Sequence, residues 1–138
     1  MKSATGYREK LGEISSVMTK IHKMLMEDEM EARELANNKQ IPPAERLNAL
    51  LNDPTLSWLR AMSQLMAYVD EVYFQKEPIL DRQMIDVEEK VQNLFGLQNE
   101  SEFTYRYKSR LGVIPNLMIE HGNLRLVLRK VPSNNQVN

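Results

Sequence analysis

The chain has 138 residues, 42% of them hydrophobic and 27% charged, with a formal net charge of −1 and no cysteine. That length and apolar content suit one domain with a modest core and exclude disorder throughout. The absence of cysteine excludes a disulfide framework, a thiolate metal site and a cysteine nucleophile. The opening MKSATGYREK lacks the apolar stretch of a signal peptide, and no apolar run approaches the ~20 residues of a membrane span; the expectation is a soluble, cytoplasmic chain with no membrane partner.

Leu11, Ile14, Met18, Ile21, Leu25, Ala32 and Leu35 recur at spacings of three and four, interrupted by Asp28, which predicts one long amphipathic helix over about 5–36. Asn37, Asn38 and the double proline at 42–43 stop it, and a short helix over 43–51 follows. Asp53 before Pro54 opens a central helix over 54–75, because a carboxylate accepts orphan N–H groups and proline has none to lose. After Glu77-Pro78, the series Leu80, Met84, Val87, Val91, Leu94 predicts a helix over 79–95, with Gly96 as a left-handed cap.

Asn99 and Glu102 have the spacing of a capping box, and Phe103, Tyr107 and Leu111 continue the helix it opens, over 99–112. Residues 115–130 fit a helix through Leu117, His121, Leu124 and Leu128, although Leu124, Leu126 and Leu128 also alternate as a strand would. With no partner strand elsewhere, helix is chosen, and residues 132–138 read as a frayed tail. Helices joined by short connections predict an all-α protein, a single antiparallel helical bundle over 1–138.

On the central helix, Trp58, Leu59, Met62, Leu65, Met66, Val69, Val72 and Tyr73 fill one side, and Leu56, Ser63, Asp70 and Phe74 extend the same arc. Asp70 therefore needs a compensating partner from another helix, since Arg60 lies about 15 Å away along the axis. Arg106 and Arg110 share a face with Tyr107 and Leu111, so an Asp70 pair with one of them resolves both anomalies. His22 and Glu29 flank the stripe of the first helix and His121 lies on that of the last, which extends the cluster to His22, Glu29, Arg60, Ser63, Asp70, Arg106, Tyr107, Arg110 and His121. Two readings stay open: a structural layer that holds helix register, or a ligand pocket in which His22, Glu29, Asp70 and His121 are acid-base candidates.

No motif calls for a metal or cofactor, and none assigns a catalytic residue. Neither histidine has the glutamate three residues before it that a di-iron bundle needs, and the acidic run EDEMEARE spreads its carboxylates round a helix. Charge is uneven: residues 105–138 carry six bases and one acid, residues 38–104 six and eleven. Lys108, Arg125, Arg129 and Lys130 are thus candidate nucleic-acid contacts under an alternative reading. The leading expectation is a non-enzymatic module acting through protein contacts, possible as a homodimer, because a first helix of about 45 Å outruns ~20-residue partners.

DPTLSWLRAMSQLMAYVDE and EFTYRYKSRLGVIPNLMIEHGNL resemble a family of small uncharacterised bacterial all-helical proteins. The likeness rests on Asp53, Pro54, Trp58, Leu59, Arg60, Ser63, Leu65 and Asp70, then on Phe103, Arg106, Tyr107, Leu111, Pro115, His121 and Gly122; a weaker match surrounds His22, Leu25 and Glu29. The resemblance implies a helical fold and a bacterial cytosolic setting, and no substrate, cofactor or catalytic role. Relatives tend to carry an Arg-Asp pair before the proline, where this chain has Val113 and Ile114.

Overall fold

Six α-helices and one 3-10 turn make up the computed structural model, which describes residues 2–131, with side chains from residue 6 onward. The helices are α1 (Lys2–Asn37), α2 (Pro43–Asn52), α3 (Arg60–Phe74), α4 (Asp81–Phe95), α5 (Glu102–Arg110) and α6 (Leu117–Arg129), with the 3-10 turn at Pro54–Leu59. No strand occurs among the described residues, so 117–129 is helix rather than extended chain. The expected frayed tail, 132–138, lies outside the described residues.

At 36 residues α1 is about 54 Å long, and it serves as the spine against which both α3 and α6 pack. The pairing is antiparallel. Arg8 reaches the Tyr73 carbonyl, Ser15 meets Asp70, His22 meets Ser63 and Glu29 meets Trp58, so the α3 partner number falls as the α1 number rises. Tyr68 on Asp86 and Gln75 on Gln83 set α3 and α4 antiparallel in the same way. Lys10 and Glu13 of α1 meet residues 128–130, so α6 also runs opposite to α1.

The stripe Leu11, Ile14, Met18, Ile21 and Leu25 is fully buried, as its spacing requires, but the prediction fails beyond it: Ala32 is exposed and Leu35 is 78% exposed. The end of α1 turns polar contacts to the following segment instead. Arg33 pairs with Asp53 at 2.7 Å, and Glu34 accepts from the Ile41 N–H and from Arg46. Asn38 ends the helix in a left-handed conformation, φ 54°.

Asp53 caps as expected, accepting from the Thr55 N–H at 2.9 Å. These bonds from Thr55, first the backbone and then the hydroxyl, together with Arg33 hold its carboxyl down to about 2. The predicted single helix over 54–75 is nevertheless two pieces. Its first six residues wind as a 3-10 helix, whose three-residue turn stacks Leu56 on Leu59 and turns Trp58 inward as well. Phe74, expected on the buried arc, is 73% exposed because it falls in the last turn of α3.

Three helix ends differ from expectation. Gly96 is not left-handed (φ −72°); glycine fits there because a Cβ would sit 2.9 Å from the Gln92 carbonyl oxygen. Asn99 does not open a capping box but donates its amide to the Asn93 carbonyl, closing the end of α4. Ser101 caps α5 instead, accepting from the Thr104 N–H at 3.0 Å. The left-handed residue before α6 is Asn116, φ 69°.

Candidate functional site

Asp70 does not meet an arginine. It is half-buried, and its Oδ1 accepts a hydrogen bond from Ser15 Oγ at 2.7 Å. The expected pairing fails because α5 packs against the 3-10 turn and not against the far end of α3. Arg110 consequently reaches Trp58, and twelve residues of helical rise, roughly 18–20 Å, separate that turn from Asp70. Arg106 pairs with Glu102 on its own helix at 3.2 Å, and Arg60 donates to the Leu51 and Asp53 carbonyls at the end of α2. An Asp70→Ala variant should therefore lose less than about 1 kcal/mol of stability in urea unfolding, because its partner is a hydroxyl and water reaches both. A loss of about 3 kcal/mol would reveal a buried cation at that site.

The residues expected to form one cluster fall into separate pairs strung along the bundle. Glu29 and Arg110 do come together: Glu29 Oε1 accepts from Trp58 Nε1 at 3.1 Å and from Arg110 at 3.3 Å. The guanidinium of Arg110 also lies over the Trp58 ring at 4.8 Å and pairs with Asp28 at 3.5 Å. Two carboxylates and an aromatic face thus hold one cation where α1, α5 and the 3-10 turn meet.

His22 Nε2 and Ser63 Oγ are 3.1 Å apart, two turns of α1 away from that cluster. Burial lowers the pKa of His22 from its ordinary 6.5, and burial together with the Arg125 charge lowers that of His121. Unfolded histidines titrate near 6.5 and take up protons that the folded ones refuse, so stability is complete above that pH and falls as pH drops below it. Urea midpoints measured at pH 8 and pH 5.5 should show the lower value at pH 5.5. A double His22→Gln, His121→Gln variant should flatten that difference; an unchanged difference would remove the histidines as its cause.

His121 is 5% exposed on the inner face of α6, and its Nδ1 lies 2.8 Å from the Tyr107 hydroxyl, itself fully buried among Phe95, Phe103 and the imidazole. Burial pushes the Tyr107 phenol above its ordinary range, so it stays protonated as a donor. His121 also lines a cleft of about 580 Å³ between the end of α4 and the side of α6. Arg125 and Arg129, one turn apart on α6, line it too, and neither has a hydrogen-bond or ion-pair partner among the described residues. The other two nucleic-acid candidates lie elsewhere: Lys130 is tied to Glu13 at 2.6 Å, and Lys108 is exposed on α5.

Lys10 escaped the sequence reading. It is 5% exposed, pairs with Glu88 of α4, and donates to the carbonyls of Leu128 at 3.0 Å and Lys130 at 2.7 Å. One ammonium thus joins α1 and α4 to the carbonyl end of α6, where cations are favoured. Its signal was present, since Lys10 precedes Ile14 and Met18 by four and eight residues on the buried stripe. Ser15 carried no such signal, because a serine on a helix flank is ordinary.

Among the described residues, no group of three or more His, Asp or Glu side chains could hold a metal ion, and no helix is long and apolar enough to cross a membrane. The chain is an all-α antiparallel bundle. No protein-family model, curated protein or solved structure matches it. Function must be read from its own residues.

Proposed function

We propose that this bundle is a non-enzymatic module that acts through protein contacts, with a second copy as its partner and the outward face of α6 as the contact. The observation that carries this reading is the state of Met118, Ile119 and Leu126, which are 56%, 60% and 59% exposed on the outward half of one helix. Large apolar side chains gathered on one face, rather than scattered, mark an interaction surface.

Gly122 lies between Ile119 and Leu126, and a Cβ there would meet nothing within 4 Å, so a second helix has room to approach. A two-fold axis between Gly122 and Asn123 would place Ile119 of one copy opposite Leu126 of the other, a self-complementary contact of the kind C2 dimers use. The acid-base candidates favour binding over catalysis, because His22, Glu29, Asp70 and His121 each have a hydrogen-bond partner inside the protein and lie in different places.

Sedimentation equilibrium tests this directly. The natural chain should dimerise, and Leu126→Glu should be monomeric with unchanged helicity by circular dichroism. A strict monomer at high concentration, or a dimer that survives Leu126→Glu, would overturn the reading.

A further inference from the structure

The cleft between α4 and α6 has a composition unlike the rest of this mildly acidic chain. No Asp or Glu lines it. Its charged walls are Arg125 and Arg129, exposed, without partners among the described residues, and only one helical turn apart, a like-charge spacing that destabilises a helix unless an anion relieves it. Beside the side-chain amides of Gln92, Asn93, Gln98 and Asn99, its remaining polar group is His121. The Tyr107 phenol is a stronger proton donor than an imidazole, so it donates to Nδ1, and the neutral ring carries its proton on Nε2, which has no hydrogen-bond partner among the described residues. Two forked guanidiniums and a ring N–H therefore line one space without a hydrogen-bond or ion-pair partner among the described residues.

The opposing wall includes the carbonyl end of α4, which repels anions. That end amounts to about half a negative charge, and Asn99 already satisfies the Asn93 carbonyl, so two full positive charges prevail. The floor is apolar, made of Phe95, Leu97, Leu124 and Leu128. At about 580 Å³ the cleft is of the size that encloses a small organic molecule.

We propose that this cleft binds a phosphate monoester carried on an apolar or aromatic body. Arg125, Arg129 and His121 Nε2 hold the phosphate, and the body lies against Phe95, Leu97, Leu124 and Leu128. A phosphate monoester is favoured over a carboxylate because it brings nearly two negative charges and three acceptor oxygens to two guanidiniums and a ring N–H, whereas a carboxylate occupies only one fork. Arg125 and Arg129 follow Met118 by seven and eleven residues and so share the exposed side of α6 with it. The cleft is formed within one copy, and the titration repeated on Leu126→Glu tests it independently of the dimer reading.

The test is an NMR titration of isotope-labelled full-length chain with phenyl phosphate. Saturable shifts should appear at His121, Leu124 and Asn99, and the double variant Arg125→Gln, Arg129→Gln should weaken the affinity by about tenfold or more. Both arginines are exposed, so the variant keeps the fold. Inorganic phosphate should shift the same residues at higher concentration, and phenol, which keeps the ring and lacks the charge, should not saturate. Three results would overturn the proposal: no shifts with phenyl phosphate, equal affinity in the double variant, or phenol binding as tightly as the ester. So would a single-stranded oligonucleotide that shifts Lys108 and Lys130 while phenyl phosphate leaves the cleft untouched, because that pattern belongs to a nucleic-acid surface.

Discussion

Replacing Lys10 with alanine should lower the unfolding free energy by about 3 kcal/mol, or roughly 10 °C in Tm for a chain of this length. The ammonium is almost wholly enclosed, and three acceptors depend on it: Glu88 and the carbonyls of Leu128 and Lys130. Alanine strands all three at once, and an unpaired buried acceptor costs more than the bond itself contributes. Glu88 retains some contact with water, which keeps the cost below that of a fully enclosed broken pair. Lys10→Met is the control, since it restores the alkyl stem that crosses the apolar stripe without the charge. Urea unfolding followed by circular dichroism should rank the natural chain above Lys10→Met and Lys10→Ala. If Lys10→Met matched the natural chain, the stem rather than the ammonium would be holding the end of α6.

Trp58→Ala should cost more, about 3 to 5 kcal/mol. The indole is buried against Phe103 at 5.8 Å between ring centres, carries the Arg110 guanidinium on its face and donates to Glu29. Its removal opens a cavity and takes the aromatic face from a cation held by two carboxylates. Trp58→Phe separates the two losses: the ring is largely replaced while the N–H is not, so a cost of about 1 to 2 kcal/mol is expected. Trp58 is the only tryptophan, so unfolding should be followed by the helical circular dichroism signal rather than by indole emission. Equal costs for the two variants would place all the stability in the Glu29 hydrogen bond and none in the packing.

The two cases differ in how well they were legible. Trp58 lay on an apolar arc of the expected central helix, and Glu29 and Arg110 were both marked as charges near apolar stripes; what was missing was that they meet each other. The pairing expected for Asp70 was with Arg106 or Arg110, which follows from helical faces but not from helical ends. Periodicity says which way a side chain points around an axis, and nothing about which turn of one helix lies beside which turn of another. Here α5 docks on the 3-10 turn, so Arg110 meets residues 28, 29 and 58, while Asp70 is left to Ser15.

The same distinction runs through the rest of the molecule. The residue pattern alone determined that the chain is helical, where most of its helices lie, that Leu11 to Leu25 face inward and that Asp53 opens a helix, because all of these depend on contacts within about four residues along the chain. The tertiary structure decided the partners of Asp70, Arg106 and Arg110, the burial of Lys10, the exposure of Leu35 and Phe74, and the meeting of His121, Arg125 and Arg129 with the end of α4 around one cleft. Each of those depends on the offset between elements far apart in the chain, and one turn of that offset, about 5.4 Å, is enough to exchange one polar partner for another.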